Sequence, residues 1–570
     1  INYSAQTQAE TVVRHYWSLS VEEQFYLVWP LLLLAVTWTV RKRNEKIARR
    51  ALIASLAVVA VVFFTVSVVV TAQSPNQAYF VTPTRMWEFA VGGLVAVIAP
   101  RLTPPRVAAE LVALVGLAAI VMTCALYGPT TPFPGSAAAV PVLGTALVIL
   151  AGTHHQLLHE RITGLRPVQF LGDISYSVYL WHWPLVVIVP SVISRDLDWR
   201  AKSAILVASL VLAWLTKVVV EDPGRQLRWP RVKSWRAFTL MGGGILVTGA
   251  LSLSLIPLAN AKITANDQSA LRAAGSSCAG PRALHDRRCG NPFTRPVANP
   301  IMTDVNQYWT LPHECVVDRS LILTTNSISN RCDYSSGRKS APRVWLVGDS
   351  HAQEWVRGIV LAAKREGWNL SILLLKGCVP AKARFIAYGP NLNDAASVAE
   401  CNTWIARIIK AVHQDRPNLI LTAAYTRNET VSDGTSRPAV AQMINGLQQM
   451  WLQWTQDGAK VVAIADPPLN SQARSPVCVP RQPNRPRRCA APRALAQPAD
   501  PMVLAVKSMP GIGLIDLTND FCDATKCYAA IGGISIYFEA SHLNGIYAEL
   551  LEPYFLEQMA KIAPGFVTRR

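Results

Sequence analysis

Nowhere in the 570 residues does a Cys-x-x-Cys pair occur, which argues against a structural zinc site. No metal-ligand set is assigned. An initiator methionine is also missing. The chain opens Ile1-Asn2-Tyr3 with no signal-peptide pattern, so residue 1 reads as a cut point with further membrane helices expected ahead of it. No segment joins basic residues to the aromatic stacking positions of a nucleic-acid module, so nucleic acid is not an expected partner despite a formal net charge of +19. Apolar residues make up 51% of the chain, yet their long runs concentrate before residue 260.

Those runs lie near residues 24–40, 51–72, 85–99, 107–127, 136–152, 174–193, 203–220 and 237–258. Several reach the roughly 20 residues that a helix needs to cross about 30 Å of hydrocarbon, so a lipid bilayer is the expected environment. Basic residues mark every second loop. Arg41-Lys42-Arg43, Lys46, Arg49 and Arg50 follow the first run, Arg101 and Arg106 the third, and Arg161 and Arg166 the fifth. Arg225, Arg228, Arg231, Lys233 and Arg236 follow the seventh. Of the alternate loops, 73–84 and 128–135 hold no Lys or Arg, whereas 194–202 holds Arg195, Arg200 and Lys202. The basic side is expected to be cytoplasmic, which puts everything after residue 258 outside.

One of the 11 cysteines, Cys124, lies in an apolar run, and the other ten fall between 278 and 527. An even number outside the membrane suggests disulfides. Proximity favours Cys278–Cys289, Cys315–Cys332, Cys378–Cys401, Cys478–Cys489 and Cys522–Cys527, although ten cysteines allow many connectivities. The run Arg481 to Arg488 inside one proposed loop reads as a solvated basic loop, with contact to an anionic envelope polymer or lipid head groups as the alternative.

At the mouth of the first run stands Trp17-Ser18-Leu19-Ser20-Val21-Glu22-Glu23-Gln24-Phe25-Tyr26. Carboxylates at a membrane edge are costly and usually face a bundle interior or a watery cavity. An interfacial aromatic anchor belt is the plainer alternative. Further along come Arg85-Met86-Trp87-Glu88, Leu171 to Pro184, and Glu221-Asp222-Pro223-Gly224-Arg225. Arg85 and Glu88 share a helix face and read equally as a structural ion pair or as site residues. Ser175, Tyr179 and His182 recur at i, i+4 and i+7, a polar stripe on one face. In order and wording these segments resemble the membrane-bound acyltransferase-3 family, over residues 15–225. The resemblance implies a helical bundle that moves an acyl group from a cytoplasmic donor, acyl-CoA (most simply acetyl-CoA), to sugars outside, with no bound cofactor. It also implies a membrane acyl-transfer site drawn from Trp17, Glu22, Gln24, Tyr26, Arg85, Glu88, Tyr179, His182 and Glu221. The family's donor-side histidine would precede Ile1. His15 is a poor substitute, and His182 reads either as a relay or as a hydrogen-bonded structural histidine.

The distal half has a different grammar. Arg343-Val344-Trp345-Leu346-Val347 is a strand pattern, Gly348-Asp349-Ser350-His351 follows at once, and a helix pattern runs from about Gln353 to Glu366. Strand, tight turn, serine and helix expose a nucleophile at the carboxyl edge of a parallel sheet. Further strands are expected at Leu370–Leu375, Leu419–Ala423, Lys460–Ala465 and Ile512–Asp516. Near the end stands Glu539-Ala540-Ser541-His542. Gly-Asp-Ser-His and this last block resemble the SGNH (GDSL-like) esterases, with Glu539 where Asp is usual. The resemblance implies Ser350 as nucleophile, His542 as its base and Glu539 as the group orienting the imidazole. Gly377 fits the second block as an oxyanion donor beside the Ser350 N–H. The third block is not visible, and Asn428 is the substitute offered. Asp349 is expected to shape the turn.

The expected fold class is therefore a polytopic α-helical membrane bundle followed by an extracytoplasmic α/β three-layer SGNH-type domain. The expected boundaries are 1–235 for the bundle, 236–258 for an additional transmembrane helix, 259–340 for a Cys-, Pro- and Arg-rich linker, and 341–570 for the α/β domain. The expected function is O-acylation of a cell-envelope polysaccharide or glycolipid through a Ser350 acyl-enzyme. An extracytoplasmic carbohydrate esterase and a non-enzymatic exporter of acylated glycan or lipid are the rivals.

Overall fold

The computed structural model describes residues 12–41, 44–73, 75–128, 131–152, 157, 160–193, 197–226, 234–294, 307–388, 395–427, 429–470, 472–475 and 478–568. The chain divides into a helical unit, Glu10–Val189 with Leu197–Leu227, and a second unit built chiefly from Arg228–Arg570.

The helical unit contains α1 (Trp17–Val40), α2 (Glu45–Gln73), α3 (Met86–Ile98), α4 (Arg106–Leu126), α5 (Ala139–Gly152), α6 (Arg166–Ile193) and α7 (Trp199–Thr216). Together with α8 (Ser234–Ala274) they cover all eight apolar runs. Five helices are long and apolar enough to cross a membrane among the described residues: Trp17–Val40, Glu45–Gln73, Arg106–Leu126, Trp199–Gln226 and Phe238–Ala274. Lipid tails offer no hydrophobic drive for helices to associate, so close backbone packing must supply it. α4 and α5 achieve this at a glycine pair. A Cβ on Gly116 would sit 2.6 Å from the Gly144 carbonyl, and one on Gly144 would sit 2.9 Å from the Gly116 carbonyl.

The expected linker is only partly one. α8 runs 41 residues, well past 258. The stretch 259–274 is rich in Ala and free of Pro and Gly, so nothing stops the helix before Gly275. Ala270 is fully buried in the core of the α/β domain. The expected domain start at 341 also moves. Strands β1 (Cys315–Val317) and β2 (Ile328–Asp333) already belong to the main sheet, and the Cys315–Cys332 disulfide joins residues directly opposite in their antiparallel register. All five disulfides have the pairing favoured by proximity.

The sheet continues with β3 (Arg343–Gly348), β4 (Asn369–Leu374), β5 (Leu419–Ala423), β6 (Lys460–Ile464) and β7 (Gly513–Ile515), in the order β1-β2-β4-β3-β5-β6-β7. Strands β3 to β7 pair in parallel, and β2 pairs with β4 antiparallel. These central strands are near-continuous apolar runs buried on both faces, as parallel strands flanked by helices must be. One face packs α9 (Val356–Glu366), α12 (Gly545–Leu550) and α13 (Glu552–Ile562); the other packs α10 (Ala395–Asp415) and α11 (Ala439–Gln456). Strand order reverses between β3 and β5. In an open α/β sheet that reversal leaves a crevice at the carboxyl ends of the two strands, where ligands bind.

Candidate functional site

Gly348 ends β3 at this crevice because no larger residue fits: a Cβ there would lie 1.9 Å from the Ala423 carbonyl at the end of β5. Asp349 then shapes the turn. One of its oxygens accepts the His351 N–H at 2.8 Å, and the other accepts the Tyr425 N–H at 2.9 Å across the crevice. Ser350 follows as the first residue of the short helix Ser350–Gln353, which is separate from α9 rather than continuous with it.

The distal block reaches the same place. Tyr537 bridges Leu543 and the Phe538 N–H donates to the His542 carbonyl at 2.9 Å, closing a tight loop that turns Glu539 back toward His542. His542 Nδ1 donates to Glu539 Oε1, and Ser541 Oγ donates to the same oxygen at 2.9 Å. The Leu543 N–H donates to Glu354 Oε2 at 2.7 Å, which ties this loop to the turn after Ser350. The Tyr308 ring stacks on His542 at 4.4 Å. Arg474, 1% exposed, donates to the carbonyls of Pro467, Pro468 and Ser541 and so joins the loop after β6 to the His542 loop.

Burial and the nearby His351 charge outweigh the Glu539 hydrogen bond and pull His542 down to about 4. At neutral pH His542 is therefore an uncharged imidazole whose Nδ1–H is spent on Glu539. Its buried Nε2 has no hydrogen-bond partner among the described residues, as suits a proton acceptor. Glu539, one methylene longer than Asp, holds the orienting contact.

Gly377 lies in the turn after β4 with φ of +69°, a conformation that suits glycine, and the next residue is pinned by the Cys378–Cys401 disulfide. Asn428 lies outside the described residues.

Sequence reasoning missed the charged ring around the pair. His351 Nδ1 lies 2.6 Å from Asp466 Oδ1, and Glu354 Oε1 is 3.7 Å from the same nitrogen. Arg427 donates to Asp466 at 2.7 Å and pairs with Asp500 at 3.2 Å, and Arg474 stands 3.8 Å from Asp466. His351, Glu354 and Asp466 each offer one ligand atom, all within 4.8 Å of one another. Two guanidiniums already neutralise Asp466, so the chemistry of the set is that of an ion-pair network rather than a cation site. The only early sign of it was His351 within the Gly-Asp-Ser-His run. A cavity of 610 Å³ lined by Arg282, His285, Arg287, Tyr554 and Glu557 contains none of these residues.

This network carries a pH signature. Burial would lower His351, but Asp466 overcomes it and raises the ring to about 9; burial raises Glu354 to about 8. Each folded value lies above the unfolded one, so the stability each group contributes is intact at low pH and is lost as pH rises through about 8 to 9. Thermal unfolding of the full chain, followed by tryptophan fluorescence, should show a lower Tm at pH about 10 than at about 7.

In the helical unit the expected residues fall into clusters. Arg85 lies over Trp17 at 5.4 Å and Tyr79 at 5.3 Å, and pairs with Glu88 at 3.8 Å. The Tyr179 hydroxyl contacts Ser18 Oγ and donates to the His15 carbonyl, and the His182 ring sits 5.6 Å from that of His15. Ser177 donates to Glu221, which also pairs with Arg225 at 3.8 Å. Gln24 accepts from Thr82 at 2.6 Å. Glu22 is half-buried and Tyr26 exposed. Ser175 lies in the same helix as Tyr179 and His182 and bonds back to the Gly172 carbonyl at 2.8 Å. His15, set aside in the sequence, is 9% exposed between Tyr179 and His182.

Two families match the chain: an acyltransferase domain over residues 2–271, and an SGNH domain of the kind fused to AT3 domains over residues 314–557. Among individual proteins, it is similar to the peptidoglycan O-acetyltransferase OatA of Listeria monocytogenes serovar 1/2a, 29% identical over 38% of this chain and 35% of that one. It is also similar to the O-acetyltransferase OatA of Staphylococcus aureus (strain NCTC 8325 / PS 47), 25% identical over 31% of this chain and 30% of that one. The chain thus spans about a third of the length of these relatives. A solved structure of the periplasmic domain of a lipopolysaccharide acetyltransferase from Salmonella ser. Paratyphi A matches at TM-score 0.29 and 14% identity, over 39% of this chain and 84% of that one, a likeness too slight to align the two sites.

Proposed function

Because residues 2–271 match an acyltransferase domain and residues 314–557 an SGNH domain of the kind fused to AT3 domains, we propose that the chain is a membrane O-acetyltransferase of an extracytoplasmic cell-envelope glycan. The observation that carries this reading is the His542 imidazole held by Glu539 and tied through Glu354 to the turn that presents Ser350. Names of the relatives favour a cell-wall glycan as acceptor.

The helical unit takes the acetyl group from a cytoplasmic donor, acetyl-CoA being the simplest, and delivers it outside. Trp17, Glu22, Gln24, Tyr26, Arg85, Glu88, Tyr179, His182 and Glu221 serve that passage. Ser350 Oγ then attacks the acetyl carbonyl while His542 Nε2 takes its proton. The proton passes to the carrier group on which the helical unit delivered the acetyl, as the bond between that carrier and the acetyl carbonyl breaks. In the second half His542 deprotonates a glycan hydroxyl, which attacks the acetyl-Ser350 ester and frees the serine with its proton restored. The Ser350 N–H and Gly377 N–H serve the oxyanion. The Lys- and Arg-rich loops at every second crossing fall on one side of the bundle and support an extracytoplasmic position for the α/β domain.

The test uses membrane vesicles containing the full-length protein, with isotope-labelled acetyl-CoA confined to the cytoplasmic face. Label in ester linkage on the glycan is the expected result. Loss of pre-existing glycan esters, with no label gained, would make the protein a deacylase.

A further inference from the structure

The crevice holds two imidazoles. His351 directly follows Ser350, is 2% exposed, and has its ring centroid 5.0 Å from that of His542. The two are built alike. Each ties Nδ1 to a carboxylate, Asp466 for His351 and Glu539 for His542. Each lies against a tyrosine ring, Tyr425 at 4.7 Å and Tyr308 at 4.4 Å. Each keeps a buried Nε2 with no hydrogen-bond partner among the described residues.

Their electrostatic settings differ. On its own turn His351 meets Asp349 and Glu354, from the loop after β6 it meets Asp466, and Arg427 and Arg474 stand behind that carboxylate. Burial raises Asp466, but the His351 charge and the two guanidiniums hold it well below the usual carboxylate range, so it stays ionised. Burial does most to lower His542; Glu539 from its own loop opposes that, and the charges of His351 and then Arg474 add to the lowering.

We propose that His351, anchored by Asp466, is a positioning residue of the acyl-transfer centre, its cationic ring holding His542 in the neutral form that accepts the Ser350 proton. This rests on the reading of Ser350 and His542 as the reacting pair. Two unit charges about 5 Å apart in a buried site interact strongly enough to shift a titration by a pH unit or more. The consequence is a centre that keeps its base through mild acid, down to about 4.

The test is the pH dependence of kcat/KM for release of acetate from an aryl acetate by the full-length protein in lipid nanodiscs, which reports the base in the free enzyme. Wild type should show an acid limb near about 4. His351→Gln should move that limb up by about one pH unit or more, and Asp466→Asn should move it the same way. A lower rate with an unmoved limb would mean that His351 only supports the fold, and would overturn the proposal. If both variants fail to fold, histidine ring NMR on the wild type decides. His351 charged and His542 neutral from about pH 5 to 8 supports the proposal, and His351 titrating near its ordinary value of about 6.5 sinks it. Activity retained in Ser350→Ala would instead sink the underlying reading; an inactive Ser350→Ala with an unmoved limb in His351→Gln would sink this inference alone.

Discussion

Replacing Ser350 with alanine should lower glycan O-acetylation by about a thousandfold or more while leaving the protein folded and in the membrane. The size follows from the chemistry. Without the hydroxyl no covalent intermediate forms, and the neutral His542 can at best activate an acceptor against a donor that is not held on the protein. The stability cost is small, because the change removes one oxygen from a side chain whose turn is shaped by Asp349 and Gly348. The measurement is glycan ester content by mass spectrometry, with protein level by immunoblot as the control. Glu539→Gln should fall between the two, since a neutral amide still reaches the ring yet no longer stabilises the imidazolium that forms during transfer.

Arg474→Met should destabilise the α/β domain by about 3–5 kcal/mol. Arg474 donates to three carbonyls at 1% exposure and stands 3.8 Å from the buried carboxylate of Asp466. Methionine fills much of the volume beside Tyr537, but it leaves the Pro467 and Ser541 carbonyls without the Arg474 donor and removes one of the three cations balancing Asp466. Denaturant melts of the full-length protein, followed by tryptophan fluorescence, check this. Arg485→Ala, at an exposed position in the basic disulfide loop, should stay within about 0.5 kcal/mol of wild type.

What was legible in the sequence was what lies close along the chain. Apolar length announced the helices, alternating strand and helix patterns announced the parallel sheet, and cysteine proximity gave all five disulfides. Ser350, His542 and Glu539 stood out because a tight turn and an acid three residues before a histidine are local patterns. The ring around them was not local. Asp466 is 115 residues from His351, and Arg474 reaches the Ser541 carbonyl across 67 residues. No spacing rule brings them together; only the parallel order of β3, β5 and β6 does. The misplaced domain start has the same cause, since β1 has only three residues and joins the sheet through β2, while β2 carries half-buried Asn330 and Arg331 and is recruited by pairing with β4. His15 was passed over because its value comes from Tyr179 and His182, more than 160 residues away.

The most direct test is to trap the intermediate. Full-length protein is given labelled acetyl donor without acceptor, quenched in acid and digested, and the peptide carrying residue 350 is read by tandem mass spectrometry. An acetyl ester on Ser350 that disappears when glycan is added is the predicted result. Labelled glycan formed with no ester ever detectable at Ser350, or with the ester on another residue, would contradict the account.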